Sequence, residues 1–282
     1  MLFNLRRDYP AILGHRGAKG LAVDNSADAF KIAAAGKADG VELDVRRTAD
    51  DEMVVHHDPD IEGVGNIIDL TLAEIRDAEP HVLLLDEALL LIHGIVNVEI
   101  KNIPGQPDHD ERHEMASRIV FWIDRNWLHD RVLVSSFNRH TVARVAELDG
   151  RVTVGQLFLP AVDPSNHMSM MLESHTDVAL THLTGLQLAG QVFCVDAKDL
   201  GLKIVTWGVD THDGYALCAK LGVDAIITDD PIAARAFYTS EQGSFPAEHG
   251  AASADEAGTT LDEGGTTAML PLLARRGPRR VR

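Results

Sequence analysis

The sequence predicts an α/β protein whose strands close into a TIM (β/α)8 barrel, with a short cap segment after strand 2. Between residues 11 and 239, short β-rich runs alternate with amphipathic stretches, which is typical of parallel strands joined by crossover helices. Eight strand and helix units fit into about 230 residues, close to the roughly 250 that such a barrel usually takes. A doubly wound open sheet is the alternative.

The eight predicted strands are short and rich in β-branched and aliphatic residues. They cover residues 11–17, 40–47, 95–101, 132–137, 152–158, 177–183, 203–209 and 225–228. Helices are predicted where apolar residues recur at helical spacing and where Gly or Asp marks the junctions. The clearest helices cover residues 26–35, 109–126, 141–148 and 213–221.

The segment from residue 53 to residue 92 is longer than a simple connection between a strand and the next helix. It contains one further short strand, at 53–56, and two candidate helices, at 72–78 and 86–91. We therefore expect this segment to form a cap or rim over one end of the barrel.

Composition and charge limit the possible partners. The 282 residues are 45% hydrophobic and 24% charged, which is ordinary for a globular protein. The formal net charge of -17 repels phosphate backbones and anionic lipids, so nucleic acid is not expected as a partner. No apolar run approaches the roughly 20 residues of a membrane span, and the first residues lack the apolar stretch of a signal peptide. We expect a cytoplasmic protein.

Composition also divides the chain into two parts. Residues 1–239 form the predicted barrel domain, whereas residues 240–282 are rich in Gly, Ala, Ser, Thr and Glu and end in a basic run. We expect this second part to be a disordered tail. The two cysteines, Cys194 and Cys218, lie in apolar stretches without a C-x-x-C spacing, and we expect both in the core.

Candidate metal ligands follow from the rule that the active site of a barrel lies at the carboxyl ends of its strands. Glu42 and Asp44 are two residues apart on strand 2, so both point into the barrel, and Glu99 occupies strand 3. Three inward carboxylates at this density favour a hard divalent cation, Mg²⁺ or Ca²⁺. The alternative is a set of structural ion pairs with Arg16 and Lys101.

Candidate catalytic residues are histidines, since imidazole titrates near neutral pH. The chain has fourteen histidines, and their position relative to strand ends favours His15 and His57. His109 and His113 are four residues apart but lack the His-Glu-x-x-His pattern, so we expect them on a solvated helix face. Trp207, on strand 7, is either a wall of the pocket or a core aromatic.

These motifs resemble the glycerophosphodiester phosphodiesterase family, with order and spacing kept from residue 11 to about 235. The matching segments are His15-Arg16-Gly17, Glu42-Leu43-Asp44 with Thr48 and Asp50, His57-Asp58, Asn97-Val98-Glu99-Ile100-Lys101, Ser136-Phe137, Trp207, and residues 222–231. His56 precedes His57, and we assign the family histidine to His57 because Asp58 follows it directly.

The resemblance implies a TIM barrel that hydrolyses glycerophosphodiesters to glycerol 3-phosphate and an alcohol. It implies one Mg²⁺ or Ca²⁺ held by Glu42, Asp44 and Glu99, and an acid/base pair formed by His15 and His57. A glycerol hydroxyl would attack phosphorus and give a cyclic intermediate, which water then opens. Substrate-binding roles are expected for three residues: Arg16, Lys101 and Trp207.

Two departures from the family pattern bear on substrate choice. Residues 23–26 read Val-Asp-Asn-Ser where the family usually has Pro-Glu-Asn-Thr, and the loop after Asp58 is abbreviated before residue 85. A lysophospholipase D acting on lysolipids is therefore a second hypothesis, and it requires an exposed apolar rim. A barrel that binds a phosphodiester or metabolite without turnover is a third, and it requires a missing ligand or histidine.

Overall fold

The computed structural model describes residues 2–3 and 8–240, and eight parallel strands within them close into a barrel. The strands are β1 (Ala11–Gly14), β2 (Gly40–Arg47), β3 (Met53–Val55), β4 (Asp60–Ile61), β5 (Gly65–Asn66), β6 (Leu83–Leu84), β7 (Ile95–Ile100), β8 (Val132–Ser136), β9 (Thr153–Leu157), β10 (Val178–His182), β11 (Lys203–Trp207) and β12 (Ala225–Thr228). β1, β2 and β7 to β12 form the barrel, which closes because β1 pairs with both β12 and β2. The predicted TIM barrel is confirmed and the open doubly wound sheet is wrong.

Helices follow the barrel strands and surround them. They are α1 (Ala27–Ala35), α2 (Leu72–Ala78), α3 (Leu85–Leu91), α4 (Glu114–Arg125), α5 (Arg139–Leu148), α6 (Met168–Glu173), α7 (Leu183–Asp199), α8 (His212–Leu221) and α9 (Pro231–Thr239). Ser26 caps α1 by accepting a hydrogen bond from the Ala29 amide, and Gly222 ends α8 in the left-handed conformation.

Successive side chains along each barrel strand point alternately inward and outward, and they form two separate apolar layers. Leu13, Leu133 and Val205 belong to a cluster inside the barrel, while Leu43 and Val98 pack outward against the helices. The interior layer is apolar at the amino ends of the strands and gives way to polar side chains toward the carboxyl ends. The sequence pattern thus leaves one end of the barrel for a polar site.

Several predicted boundaries differ from the observed ones. β1 ends at Gly14 rather than at residue 17, since Arg16 and Gly17 have positive φ angles of 49° and 89° and turn the chain. The helix predicted to begin at residue 109 begins at Glu114, because His113 also has a positive φ of 54°. The residues before Glu114 form a loop instead.

The segment after β2 contains the predicted elements but divides into two parts. β3 pairs antiparallel with β2, and a separate apolar cluster that includes Ile61, Ile67 and Ile75 supports the insertion. The predicted second helix, α3, belongs to the outer helical layer instead, where Leu85 and Ala88 join the core around β2 and β7. The rim at the barrel's end is therefore formed by residues 53–84.

The remaining predictions concern the cysteines, the membrane and the tail. Cys194 and Cys218 are free thiols buried in α7 and α8, as expected. Within the described part of the chain, no helix has both the length and the apolar character to cross a bilayer. Residues 241–282, which make up nearly all of the predicted tail, lie outside the described residues.

Candidate active site

A cavity of about 200 Å³ opens at the carboxyl ends of the barrel strands. All eight residues that the sequence predicts for metal, substrate and acid/base roles line it, together with five others. The lining residues are His15, Arg16, Lys19, Glu42, Asp44, His57, Asn97, Glu99, Lys101, Phe137, Leu157, Trp207 and Ile227. They come from strands and loops spread over more than 200 residues of sequence, and the barrel brings them together.

The three predicted metal ligands converge within this cavity. Glu42 and Asp44 lie on β2 and point inward, and the parallel register places Asp44 beside Glu99 of β7. One carboxylate oxygen from each lies within 4.8 Å of the others, and all three side chains are buried. Three oxygen donors in this arrangement match the ligand preference of Mg²⁺ and Ca²⁺.

Two cations partly neutralise the carboxylates. Lys101 Nζ lies 2.9 Å from Asp44 Oδ1 and 2.6 Å from Glu99 Oε1, and Arg16 Nε lies 3.3 Å from Asp44 Oδ2. Burial alone would raise the pKa of Asp44, yet the charges of Lys101 and Arg16 outweigh it and lower that pKa. The ion pairs that the structural alternative predicts are therefore present. Among the described residues, however, no Lys or Arg side chain forms an ion pair with Glu42.

Glu42 is the carboxylate whose partners are incomplete. Its Oε2 accepts a hydrogen bond of 2.9 Å from the Arg16 amide, while its buried Oε1 has no hydrogen-bond partner among the described residues. Burial raises the pKa of Glu42 well above its usual range, and the negative charges of Asp44 and Glu99 raise it further. A divalent cation at this position would supply the missing partner and favour the ionised form, so the residues present fit a metal ion.

Arg16 and Asn25 hold the carboxylates from the loop after β1. Asn25 Nδ2 donates a hydrogen bond of 2.9 Å to Asp44 Oδ2, and Arg16 contacts Asp24 at 2.7 Å. Both Arg16 and Asn25 have positive φ angles, 49° and 53°, a region that Asn adopts more readily than most residues. The sequence alone assigns no contact to Asn25, although it lies in the altered Val-Asp-Asn-Ser segment.

His15 is oriented by a carboxylate at the far end of the barrel sequence. Its Nδ1 lies 2.7 Å from Asp229 Oδ1, and its Nε2 lies 3.9 Å from Glu42 Oε2. Asp229 also lies 3.4 Å from Lys19 Nζ. Burial opposes the ionisation of Asp229, but the contacts with His15 and Lys19 together outweigh burial and lower the pKa of Asp229. Sequence reasoning assigned no role to Asp229, and its position directly after β12 was the available signal.

His57 enters the cavity from the rim. Its Nδ1 lies 2.7 Å from Asp58 Oδ1, which leaves Nε2 for other contacts. Burial and the charge of Lys101 lower the pKa of His57, so it is biased toward the neutral form. His56 does not line the cavity, and its Nε2 lies 3.3 Å from Glu79. Of these two histidines, His57 is therefore the one that lies in the cavity.

Trp207 and Phe137 form an aromatic wall of the cavity. Their rings meet edge to face with centroids 6.1 Å apart, and the centroid of the His182 ring lies 4.5 Å from that of Trp207. The Trp207 Nε1 is buried and has no partner among the described residues. Trp207 thus belongs to the cavity and also packs against interior residues.

A sequence model of the glycerophosphoryl diester phosphodiesterase family matches residues 15–233. The chain belongs to this family. The match spans the barrel from His15 to α9 and includes every residue that converges in the cavity. Membership makes the chain a phosphodiesterase, that is, a hydrolase of phosphoric diesters.

Relatives of the family extend the match over most of the barrel. A glycerophosphodiester phosphodiesterase of Caldanaerobacter subterraneus subsp. tengcongensis is 30% identical over 239 residues, which cover 78% of this chain and 94% of the relative. A solved glycerophosphodiester phosphodiesterase of Parabacteroides distasonis is 27% identical, with a TM-score of 0.69 over 81% of this chain and 96% of that one. The phosphodiesterase of Oleispira antarctica, solved with sn-glycerol-3-phosphate, is 22% identical, with a TM-score of 0.71 over 82% and 98%.

His109 and His113 do not lie on a solvated helix face, so that prediction is wrong. Both are half-buried in the loop before α4, and both contact the buried side chain of Asn102. His113 also lies 3.0 Å from Thr141 Oγ1. The two histidines stabilise a loop, and neither lies in the cavity where the family residues converge.

A second group of possible metal ligands lies on the outside of the barrel, at Asp124, His129 and Asp149. Arg151 already contacts both carboxylates, at 2.9 Å from Asp124 and 2.6 Å from Asp149. His129 contacts Asp149 at 3.0 Å. These charges are satisfied by one another, unlike those of Glu42.

Proposed function

We propose that this protein hydrolyses glycerophosphodiesters to glycerol 3-phosphate and an alcohol, with one divalent cation held by Glu42, Asp44 and Glu99. One observation carries the proposal: three buried carboxylates, one with an unpaired oxygen, share a cavity with two histidines. Either Mg²⁺ or Ca²⁺ suits an all-oxygen set of ligands. The bound ion would neutralise charge on the phosphoryl oxygens of the substrate.

The cationic side chains of the cavity prepare it for a phosphodiester. Arg16 and Lys101 place two fixed positive charges beside the carboxylates, so an anionic phosphoryl group meets a site with cations already in position. Phe137 and Trp207 supply an apolar wall against which the glycerol carbons pack. The substrate is thus held by charge at phosphorus and by contact along its glycerol part.

His15 and His57 act as the general acid and general base of the reaction. A hydroxyl of the glycerol part attacks phosphorus, and one histidine accepts its proton while the other donates a proton to the departing alcohol. This step gives a cyclic phosphodiester, and water opens it in a second step with the proton roles reversed. Each ring has its Nδ1 engaged by a carboxylate, Asp229 or Asp58, which leaves Nε2 for proton transfer.

Three variants separate the roles of ligand and histidine. We expect Glu42→Gln and Glu99→Gln to weaken metal binding and abolish activity together, because each removes a ligand charge. His57→Ala should retain metal binding and lose turnover by at least ~100-fold. Isothermal titration with Mg²⁺ and with Ca²⁺, alongside an assay of glycerol 3-phosphate release, measures both properties. Full activity of His57→Ala would overturn the acid/base assignment.

A lysolipid is a second candidate substrate, favoured by apolar side chains on loops at the same end of the barrel. Leu21 and Val23 follow β1, Leu159 follows β9, and all three are exposed. An acyl chain would find apolar contacts there that a water-soluble headgroup does not need. Release of choline from lysophosphatidylcholine and from glycerophosphocholine, compared at equal concentrations, distinguishes the two substrates.

A cytoplasmic location remains a prediction of the sequence.

A further inference from the structure

The buried side chain of Arg46 connects three segments that carry cavity residues. Arg46 is the next inward position on β2 after Glu42 and Asp44, since alternate residues of a strand share a face. Its side chain is only 1% exposed. A buried guanidinium needs several acceptors, and the identity of those acceptors shows what Arg46 holds in place.

Two of the acceptor contacts fall on the peptide carbonyl of His57. Arg46 Nε donates to His57 O at 2.9 Å and Arg46 Nη2 donates to the same oxygen at 2.7 Å. His57 lies outside any strand or helix, and its ring contacts Asp58 in the same loop. The forked contact from Arg46 therefore fixes the His57 peptide directly to the strand that carries the carboxylates.

The other contacts of Arg46 lie on the loop after β7. Its Nη1 pairs with Asp108, whose side chain is 4% exposed, and its Nη2 donates to Gln106 Oε1 at 3.1 Å. This loop is itself ordered by Asn102, which accepts a bond of 2.8 Å from the Asp110 amide and donates one of 2.9 Å to the Asp110 carbonyl. Arg46 thus joins the histidine loop to the loop that follows Glu99 and Lys101.

We infer that Arg46, held by Asp108, is a positioning residue that places His57 over the carboxylate site. The inference rests on the proposed function, because it assumes that His57 takes part in proton transfer. Arg46 lines no part of the cavity and so acts through the His57 peptide. Proton transfer depends steeply on geometry, and a displacement of about 1 Å costs up to ~100-fold in rate.

Two variants test the role of Arg46 without leaving a buried charge unpaired. Arg46→Met combined with Asp108→Leu removes both charges of the pair, whereas Arg46→Lys keeps a cation for Asp108 but loses the forked contact to the carbonyl. Arg47→Met is the matched control: Arg47 is the next residue on β2, and it contacts Asp51 and Glu114 at the surface. We expect kcat to fall ~10- to 100-fold in the double variant and less in Arg46→Lys. In both Arg46 variants, KM and the metal concentration for half activation should stay near the wild-type values. The kcat of Arg47→Met should also stay near that of the wild type.

The same substitutions in the His57→Ala background decide between positioning and general stabilisation. If Arg46 acts through His57, its replacement should lower kcat by less than ~2-fold once His57 is absent, because coupled residues are not additive. An equal loss in both backgrounds, or no loss in the wild-type background, would overturn the inference alone. Full activity of the single His57→Ala variant would refute the proposed acid/base role itself and remove the basis of the inference.

Discussion

At the level of single residues, the pairing of each histidine with a carboxylate is the feature on which the proposed chemistry most depends. His15 contacts Asp229 and His57 contacts Asp58, each through Nδ1 at 2.7 Å. A carboxylate at Nδ1 fixes the ring orientation and the tautomer, and it stabilises the imidazolium that forms when the ring accepts a proton.

Replacement of Asp229 tests this pairing for His15. Asp229→Asn keeps the size of the side chain but removes the charge, so the His15 ring loses its fixed tautomer. We expect kcat to fall by ~10-fold or more while metal binding stays unchanged. Asp224→Asn is the control. Asp229 directly follows β12, whereas Asp224 directly precedes it and pairs with Lys203 instead of a histidine. Equal activity of Asp229→Asn and wild type would show that the pair is not needed.

The protonation of His57 gives a second prediction at this scale. Burial and the charge of Lys101 lower its pKa, so the neutral ring should persist below the ordinary value of about 6.5. The unfolded chain therefore binds this proton more readily than the folded protein. As pH falls from above 6.5 toward the folded-state pKa of His57, this difference lowers the free energy of unfolding. NMR titration of the His57 ring, assigned by comparison with His57→Ala and recorded without added metal, measures the midpoint. A midpoint at or above 6.5 would contradict the burial argument.

Sequence reasoning identified the residues that carry charge at strand ends, and it missed the residues that hold them. Glu42, Asp44 and Glu99 are recognisable because two-residue spacing puts inward carboxylates on strands, which ordinary cores avoid. Asp229 lies 214 residues from His15, and Arg46 lies 62 residues from Asp108, so no local pattern links them. Such contacts depend on barrel closure and on loop conformation.

At the scale of strands and helices, periodicity predicted which elements form but not where each ends. The helix predicted from residue 109 begins at Glu114, because the positive φ of His113 and the contacts of Asn102 favour a loop. In the same way, α3 was assigned to the cap although it packs in the outer layer. Tertiary contacts decide both outcomes, and amphipathic periodicity does not record them.

Close packing between β2 and β7 gives a prediction about barrel closure. A Cβ added at Gly40 would lie 2.0 Å from the carbonyl oxygen of Ile95, and both strands are held on their two sides by other strands. Gly40→Ala should therefore lower the free energy of unfolding by about 1–3 kcal/mol. Urea denaturation followed by circular dichroism measures the change. Unaltered stability would show that β2 and β7 can separate at this point.

At the scale of the whole molecule, a strongly acidic protein places a few cationic side chains inside its cavity, where they can contact an anionic substrate. The net charge is -17, yet Arg16, Lys19 and Lys101 line the cavity beside its carboxylates. The fold class could be predicted because eight repeated units leave few alternatives. The choice of alcohol could not, since it depends on loops such as residues 15–26 whose conformation the sequence pattern does not specify.

We propose that the carboxylate and histidine site hydrolyses glycerophosphodiesters with the help of a divalent cation. The purified protein is incubated with glycerophosphocholine in the presence of Mg²⁺, Ca²⁺ or a chelator. The glycerol 3-phosphate released under each condition is then quantified. We expect release with at least one of the two ions and none with the chelator. Release that continues undiminished in the chelator, or no release from this or any other glycerophosphodiester with either ion, would contradict it.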